Sequence, residues 1–114
     1  GIPASKMQIS IANQLGGKIN FPISDIGYID ILLDNNICIE YDGGGHNLSI
    51  KIGKISQEEF DIKENKRNSR LIENGYKILK IVNTKDLQFD TKIISDWLSE
   101  NNFKDSKLES IIIS

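Results

Sequence analysis

The chain reads as an α/β (α+β) fold, a mixed central β-sheet flanked by helices, and three observations predict it. Two strictly alternating runs flank a short polar turn. Two Ser-x-x-Gln/Glu boxes each open a stretch of helical periodicity. A β-rich run then follows the stop at Gly75, so that helices and strands interleave.

The elements follow in order. Ser5 with Gln8 forms the first box, and Met7, Ile11, Ala12 and Leu15 supply an apolar stripe. This predicts a helix over 6–15, stopped by Gly16-Gly17. Ile19-Asn20-Phe21 reads as a short extended piece, and 22–26 as a connection. From Gly27 to Leu33 the chain alternates, with Ile29, Ile31 and Leu33 on one face and Tyr28, Asp30 and Leu32 on the other. Asp34-Asn35-Asn36 is turn chemistry. Ile37, Ile39 and Tyr41 then alternate with Cys38, Glu40 and Asp42. A three-residue turn sets Leu33 against Ile37 and Asp30 opposite Glu40; an even-length loop would separate the acids onto opposite faces.

Residues 43–55 form a long glycine-containing segment with His46 in it. Ser56 with Glu59, stapled by Ile55 and Phe60, opens a helix from 57 to 74. Residues 76–82 read as a strand. Asp90 caps a last helix over 91–101, with Ile93, Ile94, Trp97 and Leu98 on its apolar face. Ile111-Ile112-Ile113 reads as an edge strand or a frayed end.

Composition bounds the function. The 114 residues suit one domain, 1–114. A start at Gly1 suggests a fragment of a longer protein. The apolar runs are too short to span a membrane. A single cysteine, Cys38, excludes a disulfide framework and a cysteine-based zinc site, and suits a reducing, cytoplasmic setting. A net charge of −2 argues against a dedicated nucleic-acid arm but not against an enzyme acting on nucleic acid. The three glycines before His46 lack the Lys-Ser or Lys-Thr of a phosphate loop.

The chemistry concentrates on the hairpin. Asp30, Glu40 and Asp42 can share one face, where like charges repel unless a cation intervenes. Oxygen donors of this kind suit Mg²⁺; the alternative is a solvated polar face. In the following helix Phe60 and Leu71 mark a buried stripe with Glu64 and Arg67 or Asn68 between them. That polar middle either looks into a site or forms i, i+3 and i, i+4 pairs in solvent. His46 is either a loop histidine or a proton carrier.

The ordered set Tyr28-Ile29-Asp30, Ile39-Glu40-Tyr41-Asp42-Gly43, His46, Glu64-Asn65-Lys66-Arg67-Asn68, Leu71 and 75–81 (GYKILKI) resembles the restriction-endonuclease-like PD-(D/E)xK superfamily. Within it, the set is most similar to the very-short-patch-repair (Vsr-like) branch, and there to the catalytic domain of phage and intron homing endonucleases described by an EDxHD motif. The resemblance covers roughly residues 5–82. It implies a restriction-endonuclease-like core and a divalent-metal-dependent DNA endonuclease. Asp30 would hold Mg²⁺ or Mn²⁺ with Glu40 or Asp42 and the Tyr41 carbonyl. His46 would act as general base or orient the attacking water. Glu64, with Asp61 as runner-up, would stand where relatives carry a helix acid. Gln8 falls where the family carries a glutamate, so one acid is missing, either as an engineered change that traps substrate or as a natural variant of reduced activity. Asp42 stands where many members have a lysine. Lys51, Lys54, Lys63, Lys66 and Arg67 are candidate contacts to the phosphates of double-stranded DNA. Cutting both strands would need a homodimer or two successive nicks. Two other expectations stay open: a catalytically silent DNA-binding or interaction module, and a mismatch or nicking repair endonuclease.

Overall fold

The structure, a computed structural model, describes residues 5–43, 53, 56–85, 87–101, 103 and 107–113. Within them it is α+β, with a five-stranded mixed sheet and three helices. Helix α1 spans Lys6–Leu15. The Ser5 hydroxyl accepts from the Gln8 N–H at 3.1 Å, and Gly16 ends the helix in the left-handed region at φ 73°. The next residue, Gly17, passes so close to the sheet that a Cβ there would lie 2.5 Å from Ile31 Cγ2.

Strands β1 (Lys18–Ile23), β2 (Gly27–Leu32) and β3 (Ile37–Gly43) form an antiparallel meander. A 3₁₀ turn at Asp34–Asn36 joins β2 to β3, with Asn35 and Asn36 at positive φ, a conformation that asparagine adopts more readily than most residues. The register is the one a three-residue turn dictates: Ile31 faces Ile39, Leu32 faces Cys38, and the Leu33 N–H donates to the Ile37 carbonyl. Helix α2 (Gln57–Glu73) is capped by Ser56 and carries the chain across to β4 (Lys77–Asn83), parallel to β3. Helix α3 (Lys92–Asn101) follows, with Asp90 Oδ1 accepting from the Lys92 N–H. The tail is an edge strand, β5 (Leu108–Ile112), parallel to β4.

The strand period divides the core between two faces. On one, Ile31, Ile39, Tyr41, Leu79 and Ile81 pack with Ile11 and Ala12 of α1 and Ile94 of α3. On the other, Cys38 and Ile78 pack with Ile29 and with Leu71 of α2. Buried Asn83 is fully engaged: its amide donates to Tyr41 Oη and the Leu87 carbonyl and accepts from the Leu87 N–H.

Two expectations are corrected. Ile29 does not share a face with Ile31 and Leu33; it joins the α2 cluster, whereas they join the other. The alternation breaks at Asp30. Opposite it on β1, between the partners of Ile31 and Ile29, Asn20 sits at φ 48°, outside extended backbone. In α3, Ile94 is fully buried but Ile93 is 39% exposed, so the apolar face is narrower than its sequence suggests.

Candidate active site

At the break in β2 the side chain of Asp30 turns toward β3. Its Oδ2 accepts from the Tyr41 N–H at 2.8 Å, and its own N–H makes a long 3.5 Å bond to Glu40 Oε2. A carboxylate therefore stands where a ladder bond would otherwise run. Glu40 and Asp42 leave β3 on the same side, toward α2. The parallel register sets Lys80 beside Glu40, and its Nζ lies 3.9 Å from Asp42 Oδ2. Glu64 and Arg67 reach the same place from α2. Asp30, Glu40, Asp42, Glu64, Arg67 and Lys80 thus line one pocket of about 200 Å³ with Tyr41.

The electrostatics of this pocket are uneven. Arg67 donates to Glu40 Oε1 and to the Tyr28 carbonyl, which anchors α2 to the hairpin. Burial pushes the Glu40 carboxyl up to about 7; Asp30 adds to the rise and Arg67 opposes it. Burial works against the charge on Arg67, but Glu40, Glu64 and Asp30 outweigh it and hold the guanidinium protonated. Asp42 Oδ1 is buried and accepts no hydrogen bond among the described residues. Such an oxygen costs free energy unless a cation or water meets it. Cys38 is buried on the same face of β3, two residues before Glu40. Burial raises its thiol to about 12, with Glu40 adding to the rise, so it is no nucleophile near neutral pH.

The hairpin acids and Glu64 are thus together. Asp61 does not line this pocket: it is exposed and accepts from Gln57 Nε2. Lys63 and Lys66 are exposed on α2, whereas Arg67 is committed to the pocket wall. His46, Lys51 and Lys54 lie outside the described residues. Gln8 does not complete a capping box. Its side chain is buried and donates to Asn20 Oδ1 at 3.1 Å and to the Asp30 carbonyl at 2.9 Å. It touches the Asp30 backbone without lining the pocket.

Sequence reasoning missed Lys80. Its signal was present: a lysine interrupts the otherwise apolar run Ile78-Leu79-Lys80-Ile81 of a central strand, and such a cation is stable only opposite an anion.

For a divalent cation the donors are of the right kind, since all are hard oxygens and one, Asp42 Oδ1, is buried without a partner. As the side chains stand, no three His, Cys, Asp or Glu groups among the described residues converge closely enough to hold a metal. Compared with known proteins, the chain matches no family model, no curated protein and no solved structure.

Proposed function

We propose that this chain is a divalent-metal-dependent DNA endonuclease domain of the restriction-endonuclease-like, Vsr-like type, acting on phosphodiester bonds. The observation that carries it is the meeting of Asp30, Glu40, Asp42 and Glu64 in one pocket, with an unpartnered buried oxygen on Asp42. Like charges gathered at strand centre raise the free energy of the fold unless they serve a cation. Asp30 and Asp42, with the Tyr41 carbonyl, would hold Mg²⁺ or Mn²⁺. When bound, the metal supplies charge stabilisation at the phosphate and its leaving oxygen.

The chain's own residues do the rest. Lys80 offsets part of the acidic charge, so that an anionic phosphate can approach. Arg67 holds Glu40 in place and ties α2 to β2. Glu64 faces the pocket from the helix and positions water there. His46 takes the proton of the attacking water, its ordinary pKa being suited to that near neutrality. Lys63 and Lys66, with Lys51 and Lys54, contact phosphates of the duplex and add affinity without sequence preference.

A second reading has its own observation. Gln8 binds the Asp30 backbone with an amide where the resembled family has an acid. A catalytically silent module of this fold would tolerate that, and an active nuclease would be slowed by it.

The test is nicking of supercoiled plasmid with Mg²⁺ or Mn²⁺, alongside calorimetric Mn²⁺ titration. The unaltered chain or Gln8→Glu should nick, and Asp30→Asn or His46→Ala should abolish the nicking. Asp42→Asn should weaken Mn²⁺ binding at least tenfold. Metal binding without nicking in any version would favour the silent module. Neither metal binding nor nicking would sink the nuclease reading.

A further inference from the structure

The acidic pocket does not end at α2. Glu64 and Lys80 are shared with a second groove of about 420 Å³ that runs between α2 and strands β4 and β5. Its volume lies within the range of about 300–1,000 Å³ typical of small-molecule sites.

The lining of this groove differs from that of the pocket. Phe60, Val82 and Leu108 give it apolar walls, one of them aromatic. Asn65, Asn68 and Ser110 give it neutral donors and acceptors. Phe60, Glu64 and Asn68 stand at i, i+4 and i+8 and so share one helix face. Among the described residues neither asparagine amide is engaged in a hydrogen bond. Among the described residues its charged members are Asp61, Glu64 and Lys80, two acids against one cation. A groove of that balance repels a second phosphate and accepts a flat, neutral, hydrogen-bonding ring.

From this continuity and lining, we infer that the groove binds the base of the nucleotide next to the phosphate held in the acidic pocket. The inference rests on the nuclease reading for what occupies the pocket. Adenine is the expected best fit, because an asparagine amide offers the donor–acceptor pair that matches adenine's N7 and N6 edge. The groove thus contributes a local base preference that the lysines of α2 do not.

The inference is tested without cleavage. The amide spectrum of the unaltered ¹⁵N-labelled chain would be titrated with deoxyadenosine monophosphate and, separately, with deoxyribose 5-phosphate. The nucleotide should produce saturable shifts at Asn65, Asn68 and Ser110 that the baseless sugar phosphate does not. In fluorescence anisotropy, Asn65→Ala/Asn68→Ala should weaken binding of a labelled dA₁₂ strand at least fivefold. Binding of an abasic 12-mer should be unchanged, and the melting temperature should confirm that the variant is folded. The same comparison on a duplex 12-mer shows whether the base must be unpaired to enter. Equal shifts with both probes, shifts confined elsewhere, no shifts, or an unaltered dA₁₂ affinity would each overturn the inference. Base-dependent shifts in a chain that never nicks plasmid would keep the groove and discard the nuclease.

Discussion

The two faces of the sheet are built by alternate residues of the same strands, and they solve opposite problems. Toward α1 and α3, β3 and β4 present Ile39, Tyr41, Leu79 and Ile81, and the face is closed by apolar packing. Toward α2 the same strands present Cys38 and Ile78, then Glu40, Lys80 and Asp42. Only the first part of that face is core. Helix α2 meets it through fully buried Leu71 and then departs, leaving charged groups to meet one another across a pocket. The contrast shows how period two lets one strand serve stability and chemistry together. It also assigns the two duties to different forces: dispersion and burial on one side, compensated charge on the other.

The largest effects should come from truncating the apolar anchors. Ile81→Ala on the closed face and Leu71→Ala on the open face should each cost about 2–5 kcal/mol, read by urea unfolding. The comparison is sharpened if Leu71→Ala also exposes the Cys38 thiol to labelling reagents while Ile81→Ala does not. It is broken if both leave Cys38 equally protected.

Comparable in size is Arg67→Ala. Removing the cation strands the Glu40 carboxylate in a buried site, a loss of about 3–5 kcal/mol when such a pair is broken. The loss should be smaller at pH 5 than at pH 8, because protonated Glu40 no longer needs the partner. A pH-independent loss would mean that the guanidinium acts through packing and its bond to the Tyr28 carbonyl.

The smallest effect is the pH dependence of the intact chain, measured with chelator present. Glu40 stands at about 7 in the folded state against an ordinary 4.5. The folded state therefore holds the extra proton, and stability from this group is full below the lower value and declines as pH rises through the upper one. Glu40→Gln should flatten that decline, a change of about 2 kcal/mol between pH 5 and 7.5. A slope unchanged in Glu40→Gln would place the titrating group elsewhere.

Much of the fold was legible because it rests on local chemistry. Ser5 and Ser56 mark the starts of α1 and α2, Gly16 and Gly75 their ends, and Asp34-Asn35-Asn36 sets the hairpin register that brings Asp30 to Glu40. What escaped was non-local. Nothing near Arg67 in the chain says that it will bind Glu40, twenty-seven residues away, rather than point to solvent. Gln8 looked like half of a capping box because Ser5 stands three residues before it, but its side chain found the Asp30 carbonyl twenty-two residues on. Lys80 became a pocket residue only when the parallel register of β3 and β4 put it beside Glu40.

By itself, then, the sequence determined the helices, the hairpin with its register and the grouping of its three acids, since each depends on residues a few positions apart, whereas β1 runs on through Pro22 and Ile23, which read as a connection. The tertiary structure decided which cations those acids meet, that Ile29 and Ile31 part company at Asp30, and that the tail pairs with β4 as β5. Those outcomes depend on how strands and helices are juxtaposed, and the free energy that selects them is shared among groups distant in the chain.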